Sequence, residues 1–285
     1  MKRGAIALGW AVLFFVIGIG IALGLASVVP GWGGPDWAVV RSGGEEVIAF
    51  GLATWIVGRL LEKYSWSDLG WRRPALAPWL RGLALGAVMA SVAIGLAVVL
   101  DGARVHFTGD WNIWPRIALP LIIGLIGAAL GEELAFRGFP LRRLSDAFGV
   151  IPATLLLAIL FGVGHAWNPN ATVFSTVNVA LAAVWLSLAF FSAGGMALAW
   201  GAHFGWNAGL AILFDAPVSG FLFRTPVVEY ASGSHAWVDG GAFGPEGGAV
   251  ATIALLAGTV FLLTRPSAFR SPSPDGRGGQ GVRTA

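Results

Sequence analysis

Leu130-Gly131-Glu132-Glu133-Leu134-Ala135-Phe136-Arg137-Gly138-Phe139-Pro140-Leu141 puts two adjacent carboxylates and an arginine at the end of an apolar run, Ile117 to Leu130. If that run crosses a bilayer, each ionised carboxylate costs roughly 3 kcal/mol or more unless it is paired or sits in a wet cavity. On a helix Glu133 and Arg137 are four residues apart, share a face, and can neutralise one another. Glu132 points about 100° away from Glu133 and has no such local partner. An unpaired carboxylate at that depth marks a functional site, and the rest of the chain can be searched for what it works with.

Composition supports the bilayer. The 285 residues are 56% apolar and only 12% charged, with a mean hydropathy of +0.75. A soluble domain is about a quarter charged, so the chain reads as all-α, a polytopic helical membrane protein. Its 42 glycines are spread through apolar runs, as in membrane helices whose backbones approach closely. With no cysteine in the chain, disulfides and thiolate metal sites are excluded. A pI near 9.9 does not point to nucleic acid, because the basic residues sort by membrane side.

Eight apolar stretches read as spans: Gly4–Val29, Val47–Leu61, Trp79–Leu100, Ile113–Leu141, Phe148–Ala166, Thr172–Phe191, Gly195–Phe214 and Ala249–Leu263. The first is too long for the apolar core of a signal peptide and reads as an anchored helix. With the N-terminus inside, only Arg41, Arg104, Arg116 and Arg224 of the 18 basic residues fall on outer segments. That bias has the expected sense. It predicts a cell-membrane, multi-pass protein with both termini cytoplasmic. Residues 1–264 form a single transmembrane domain on this reading, and 265–285 a polar, disordered cytoplasmic tail.

Three further polar groups lie in apolar helices: His165, and His203 with Asn207 at i, i+4 on one helix face. Glu132 lies about 15 Å up its helix from Arg142, and His203 about 12 Å from the start of its span. Three helices can therefore bring Glu132, His165, His203 and Asn207 together around a polar cavity in the cytoplasmic half of the membrane. The neighbouring Gly131, Gly162, Gly164 and Gly205 would leave room for it. Glu45-Glu46 reads instead as a solvated pair at an outer helix mouth, and His106 and His235 as surface histidines.

Two chemistries fit such a group. Glutamate can act as general base on water while His and Asn donate to an oxyanion, which suffices for attack on a peptide carbonyl. Alternatively Glu132, His165 and His203 could hold Zn2+ with a water as fourth ligand, although the H-E-x-x-H signature is absent. A proton-coupled transporter would also use buried Glu and His. It is less favoured, because no internal repeat is visible.

Glu132-Glu133-x-x-x-Arg137, Phe161-x-x-x-His165 and His203-x-x-x-Asn207 resemble, in order and spacing, the three motifs of the CAAX protease and bacteriocin-processing family. The Leu69-Gly70-Trp71-Arg72-Arg73-Pro74 connector is similar to a stretch that often precedes that core. The resemblance covers roughly residues 115–213. It implies an intramembrane endopeptidase acting on a membrane-associated peptide or protein, with Glu132 and His165 activating water and His203 with Asn207 steadying the oxyanion. Glu133 and Arg137 would be a structural ion pair, and no cofactor would be needed, with zinc as the alternative. The other reading of such a chain is a non-catalytic membrane scaffold or bacteriocin-immunity protein.

Overall fold

The computed structural model describes residues 2–28, 37–225 and 227–264, so the tail expected to be disordered lies outside them. The described chain is almost wholly helical. In order come α1 (Lys2–Val28), α2 (Ala38–Ala53), which runs on as π-helical turns Thr54–Leu61, and α3 (Leu76–Asp101). Strand β1 (Arg104–Phe107) is followed by α4 (Trp114–Phe136), α5 (Phe139–Phe148), α6 (Val150–Gly164) and α7 (Val173–Phe191). Then follow α8 (Gly195–Ala208) with a π-helical turn Gly209–Leu213, strand β2 (Val228–Ala231), the short α9 (Ala236–Asp239) and α10 (Ala249–Leu263).

Two boundaries differ from the sequence expectation. The fourth span was drawn unbroken to Leu141, but α4 ends at Phe136 and α5 starts afresh with Pro140 in its first turn. Gly138 leaves helical backbone at φ −68° and ψ −118°, and Pro140, which has no N–H to give the ladder, is accommodated in the first turn of the new helix. The second helix begins at Ala38 rather than Val47. Arg41, Glu45 and Glu46 are therefore on a helix and not at its mouth.

Glycines fasten the helices in pairs. Gly82 and Gly86 on α3 face Gly201 and Gly205 on α8 so closely that a Cβ at Gly86 would lie 2.1 Å from the Ala202 carbonyl oxygen. A Cβ at Gly205 would lie 2.2 Å from the Leu83 oxygen. Both helices thus use the small-xxx-small spacing that lets backbones touch. In the same manner α2 lies on α4, where a Cβ at Gly43 would meet the Gly124 oxygen at 2.6 Å.

Contacts between loops define two opposite faces. On one, Tyr64 donates to Asp146 at 2.7 Å and Arg72 donates to the Ser192 carbonyl at 3.1 Å. The Met196 amide also donates to the Gly70 carbonyl at 3.0 Å. The 62–74 connector, α5 and the α7–α8 turn therefore share this face. On the other, β1 pairs antiparallel with β2, Arg104 opposite Ala231. Asn168, between α6 and α7, donates to the Ser219 carbonyl at 3.0 Å. The connections after α3, α6 and α8 meet there.

Among the described residues, four helical stretches are long and apolar enough to cross a membrane: Lys2–Val28, Leu76–Asp101, Trp114–Phe148 and Val173–Phe191. Val150–Gly164 and Ala249–Leu263 are apolar but shorter. At 1.5 Å per residue a 15-residue helix reaches about 22 Å, short of a hydrocarbon core about 30 Å thick. Among the described residues, length and composition by themselves thus support four of the eight expected spans.

Candidate active site

Leu130 to Phe136 form the last turns of α4, and α8 brings His203 against them. His203 Nδ1 lies 2.9 Å from Glu133 Oε1, and the same oxygen is 3.2 Å from the Arg137 guanidinium. A carboxylate oxygen only accepts, so Nδ1 carries the proton and Glu133 fixes the ring's orientation. The other ring nitrogen, Nε2, then faces Glu132 Oε2 at 3.6 Å. One histidine is thus held between the two adjacent carboxylates. Arg137, itself buried, lies over the Phe161 ring at 4.6 Å.

The two glutamates are not equivalent. Glu133 is 0% exposed and bound to Arg137 and His203, whereas Glu132 keeps 27% of its side-chain surface. Only Glu132 can meet a water or a substrate. It faces a cavity of about 720 Å³ that His165, His203 and Asn207 also line.

His165 caps α6 one turn beyond Phe161, and its Nδ1 donates to the Phe161 carbonyl at 2.8 Å. That leaves Nε2 as the nitrogen able to take a proton. Asn207 stands one turn beyond His203 on α8, about 6 Å along the axis. The structure therefore brings Glu132, Glu133, Arg137 and His203 into direct contact, with His165 and Asn207 farther along the same cavity wall. Ala38, Arg41, Asn168 and Phe221 line its other end, which belongs to the face built from β1, β2 and the 215–248 loop.

Two cavity residues, Glu46 and Glu246, and Asn178, which supports the second, escaped the sequence reading. Glu46 of α2, read there as solvated, lines the same cavity as Glu132. Glu246 accepts from Trp206 Nε1 at 2.8 Å and from the Ser219 hydroxyl at 3.1 Å. Asn178 holds the adjoining turn by donating to the carbonyls of Glu246 and Gly248 at 2.9 and 2.8 Å. For Glu46 the spacing gave no signal, because Glu45 and not Glu46 stands four residues from Arg41. For Glu246 and Asn178, about 70 residues apart, there was none.

The glycines act differently from expectation. A Cβ at Gly131, Gly162 or Gly205 would collide with Glu46 Cβ at 2.5 Å, the Thr176 oxygen at 2.7 Å or the Leu83 oxygen at 2.2 Å. These glycines bring helices together and do not hollow the cavity. Only Gly164 of the four has nothing within 4 Å.

The zinc alternative requires Glu132, His165 and His203 on one ion. Among the described residues no three of His, Cys, Asp or Glu are grouped to hold a metal. Glu132, His165 and His203 are thus not gathered around one point.

A family profile described as type II CAAX prenyl endopeptidase, Rce1-like, matches residues 114–209. The match runs from the start of α4 to the end of α8 and includes Glu132, Glu133, Arg137, His165, His203 and Asn207. This is the CAAX protease/Abi family that the three motifs resemble, and the segment belongs to it. The match supports classifying the chain as an intramembrane protease of this type. A comparison with curated proteins finds no match.

Proposed function

We propose that Glu132 is the general base of a metal-free endopeptidase that cuts a membrane-associated peptide or protein. Water in the cavity loses a proton to Glu132, helped by His165 Nε2, and its oxygen adds to the scissile carbonyl carbon. Asn207 and, when protonated, His203 Nε2 donate to the oxyanion. The proton then passes to the departing nitrogen as the C–N bond breaks. Glu133 and Arg137 hold His203 in place without touching the substrate.

The observation that carries this reading is His203 bracketed by a buried Glu133 and a cavity-facing Glu132. Eight membrane crossings are part of the proposal. The shorter α6, α8 and α10 and the charged α2 cross within the shelter of the longer helices, as intramembrane polar residues require. The basic 62–74 and α5 face is then cytoplasmic, with both termini on that side. The catalytic cavity lies within the bilayer, its acidic floor near the last turns of α4.

The test compares purified wild type with Glu132→Gln in detergent against a membrane-peptide library, with and without a strong chelator. Cleavage lost in the variant and unaffected by chelator is the expected result. Loss to chelator with rescue by zinc would overturn the metal-free assignment. Undiminished cleavage by Glu132→Gln would sink the glutamate mechanism.

A further inference from the structure

The helices around the catalytic cavity each contribute the part that leads to the face built from β1, β2 and the 215–248 loop. From α2 the lining residues fall between Ala38 and Phe50, and none comes from the π-helical turns that follow. From α6 come Phe161 and Gly164, both in its last turn. From α8 come His203, Trp206 and Asn207, in its second half. Among the described residues, none of the 62–74 connector, α5 or the α7–α8 turn lines the cavity.

The two ends also differ in their cover. Toward the β1–β2 face, Ser42 and Phe221 of the lining are exposed, and Asn168 and Ser219 are half-buried. Toward the connector face, Phe14, Leu69 and Phe139 are 0% exposed, and Leu141 and Leu144 are buried with them. The Phe139 ring lies 5.6 Å from that of Phe14 and 5.9 Å from that of Tyr64. Tyr64 is held to Asp146, and the Arg143–Glu62 ion pair ties α5 to the connector again. Arg137, which follows the lining residue Phe136, is buried and committed to Glu133. A close-packed apolar layer of this kind has no room for water. The cavity wall between rim and floor is itself mostly apolar, with Val39, Leu125, Val179, Leu186 and Phe223.

We infer that the catalytic cavity is a vestibule open to the β1–β2 face and closed toward the connector face, so that water and substrate both reach Glu132 from the β1–β2 side. On the topology proposed above that side is the non-cytoplasmic one, and the substrate is an apolar segment of an exported polypeptide. The substrate rests on the protease reading and on that topology. The direction of the opening rests on neither.

The test uses single cysteines in this cysteine-free chain, at Ser42 on the rim and at Ala128, a cavity residue one helical turn before Glu132. Ser234→Cys and Ser67→Cys mark the two faces. The probe is a small, permanently charged thiol reagent applied to sealed right-side-out and inside-out vesicles. Ser42→Cys and Ala128→Cys are both expected to react from the side that labels Ser234→Cys and not from the side that labels Ser67→Cys. Reaction from the Ser67 side overturns the proposal, and so does an Ala128→Cys that labels only after denaturation. If the two marker sites exchanged sides and the cavity still followed Ser234, the opening would stand and the exported substrate would fall. Cleavage is read in proteoliposomes that hold both orientations, with a charged, water-soluble peptide that wild type cuts in detergent added outside. A bulky impermeant thiol reagent on Ser42→Cys is expected to abolish that cleavage, because only molecules with the rim outward meet the peptide. Persistent cleavage by the inverted, unmodified molecules overturns the proposal. Absence of cleavage by wild type would overturn the protease reading and the substrate with it, while the labelling pattern still decides the opening.

Discussion

Glu133 takes part in two interactions through one oxygen, and that fixes what its loss should do. Glu133→Ala leaves Arg137 buried without its counter-ion and His203 without its orienting acceptor. Stranding one member of a buried pair costs about 3–5 kcal/mol. The variant is expected to show a large drop in purification yield and in thermal midpoint in detergent. Glu132→Gln is expected to unfold at the wild-type temperature, because its carboxylate faces the cavity and anchors no buried cation. If both variants unfolded alike, the division between supporting and reacting glutamate would be wrong.

At the scale of elements, the α3–α8 contact sets where His203 stands. The carbonyl oxygen of Leu83 is 2.2 Å from the place a Cβ would take on Gly205, two residues beyond the histidine. Backbone cannot yield as a flexible side chain can, so Gly205→Val should cost about 3 kcal/mol and pull His203 away from Glu132. Gly95→Ala, on the same α3 but with nothing within 4 Å, is the control and is expected to be neutral or slightly stabilising. Thermal unfolding of both variants, with cleavage measured on whatever remains folded, checks the expectation. The connector plays a comparable part on the other face. Gly70, at φ 88°, presents its carbonyl to the Met196 amide, so the Leu69–Pro74 stretch clamps the turn that starts α8. Sequence similarity singled out this stretch without giving a reason; the hydrogen bond supplies one.

For the whole molecule, the proposed topology has a direct test because the chain contains no cysteine. Ser67, in the connector, and Ser234, in the loop after β2, are both exposed and lie on opposite faces. Ser67→Cys is expected to react with a membrane-impermeant thiol reagent only when the cytoplasmic side is accessible, and Ser234→Cys only from outside. Labelling of both from the same side would contradict the arrangement.

Much of this molecule was legible from local pattern. The ends of α7 and α10 fell where the apolar runs stop. The Glu133–Arg137 contact followed from i, i+4 spacing, and His203 with Asn207 from a shared helix face. These depend on one helix at a time, and helical periodicity is a property of sequence alone. The tertiary structure decided what depends on two segments meeting. Glu46 became a cavity residue because Gly131 lets α2 lie against α4. Glu246 came to line the cavity, with distant Asn178 holding its turn, because the 215–248 loop folds back onto α7. His203 came to rest between two carboxylates because glycines on α3 and α8 let their backbones touch. Whether a polar side chain faces lipid, water or a partner is settled by the helix beside it, and no spacing within one helix encodes that neighbour.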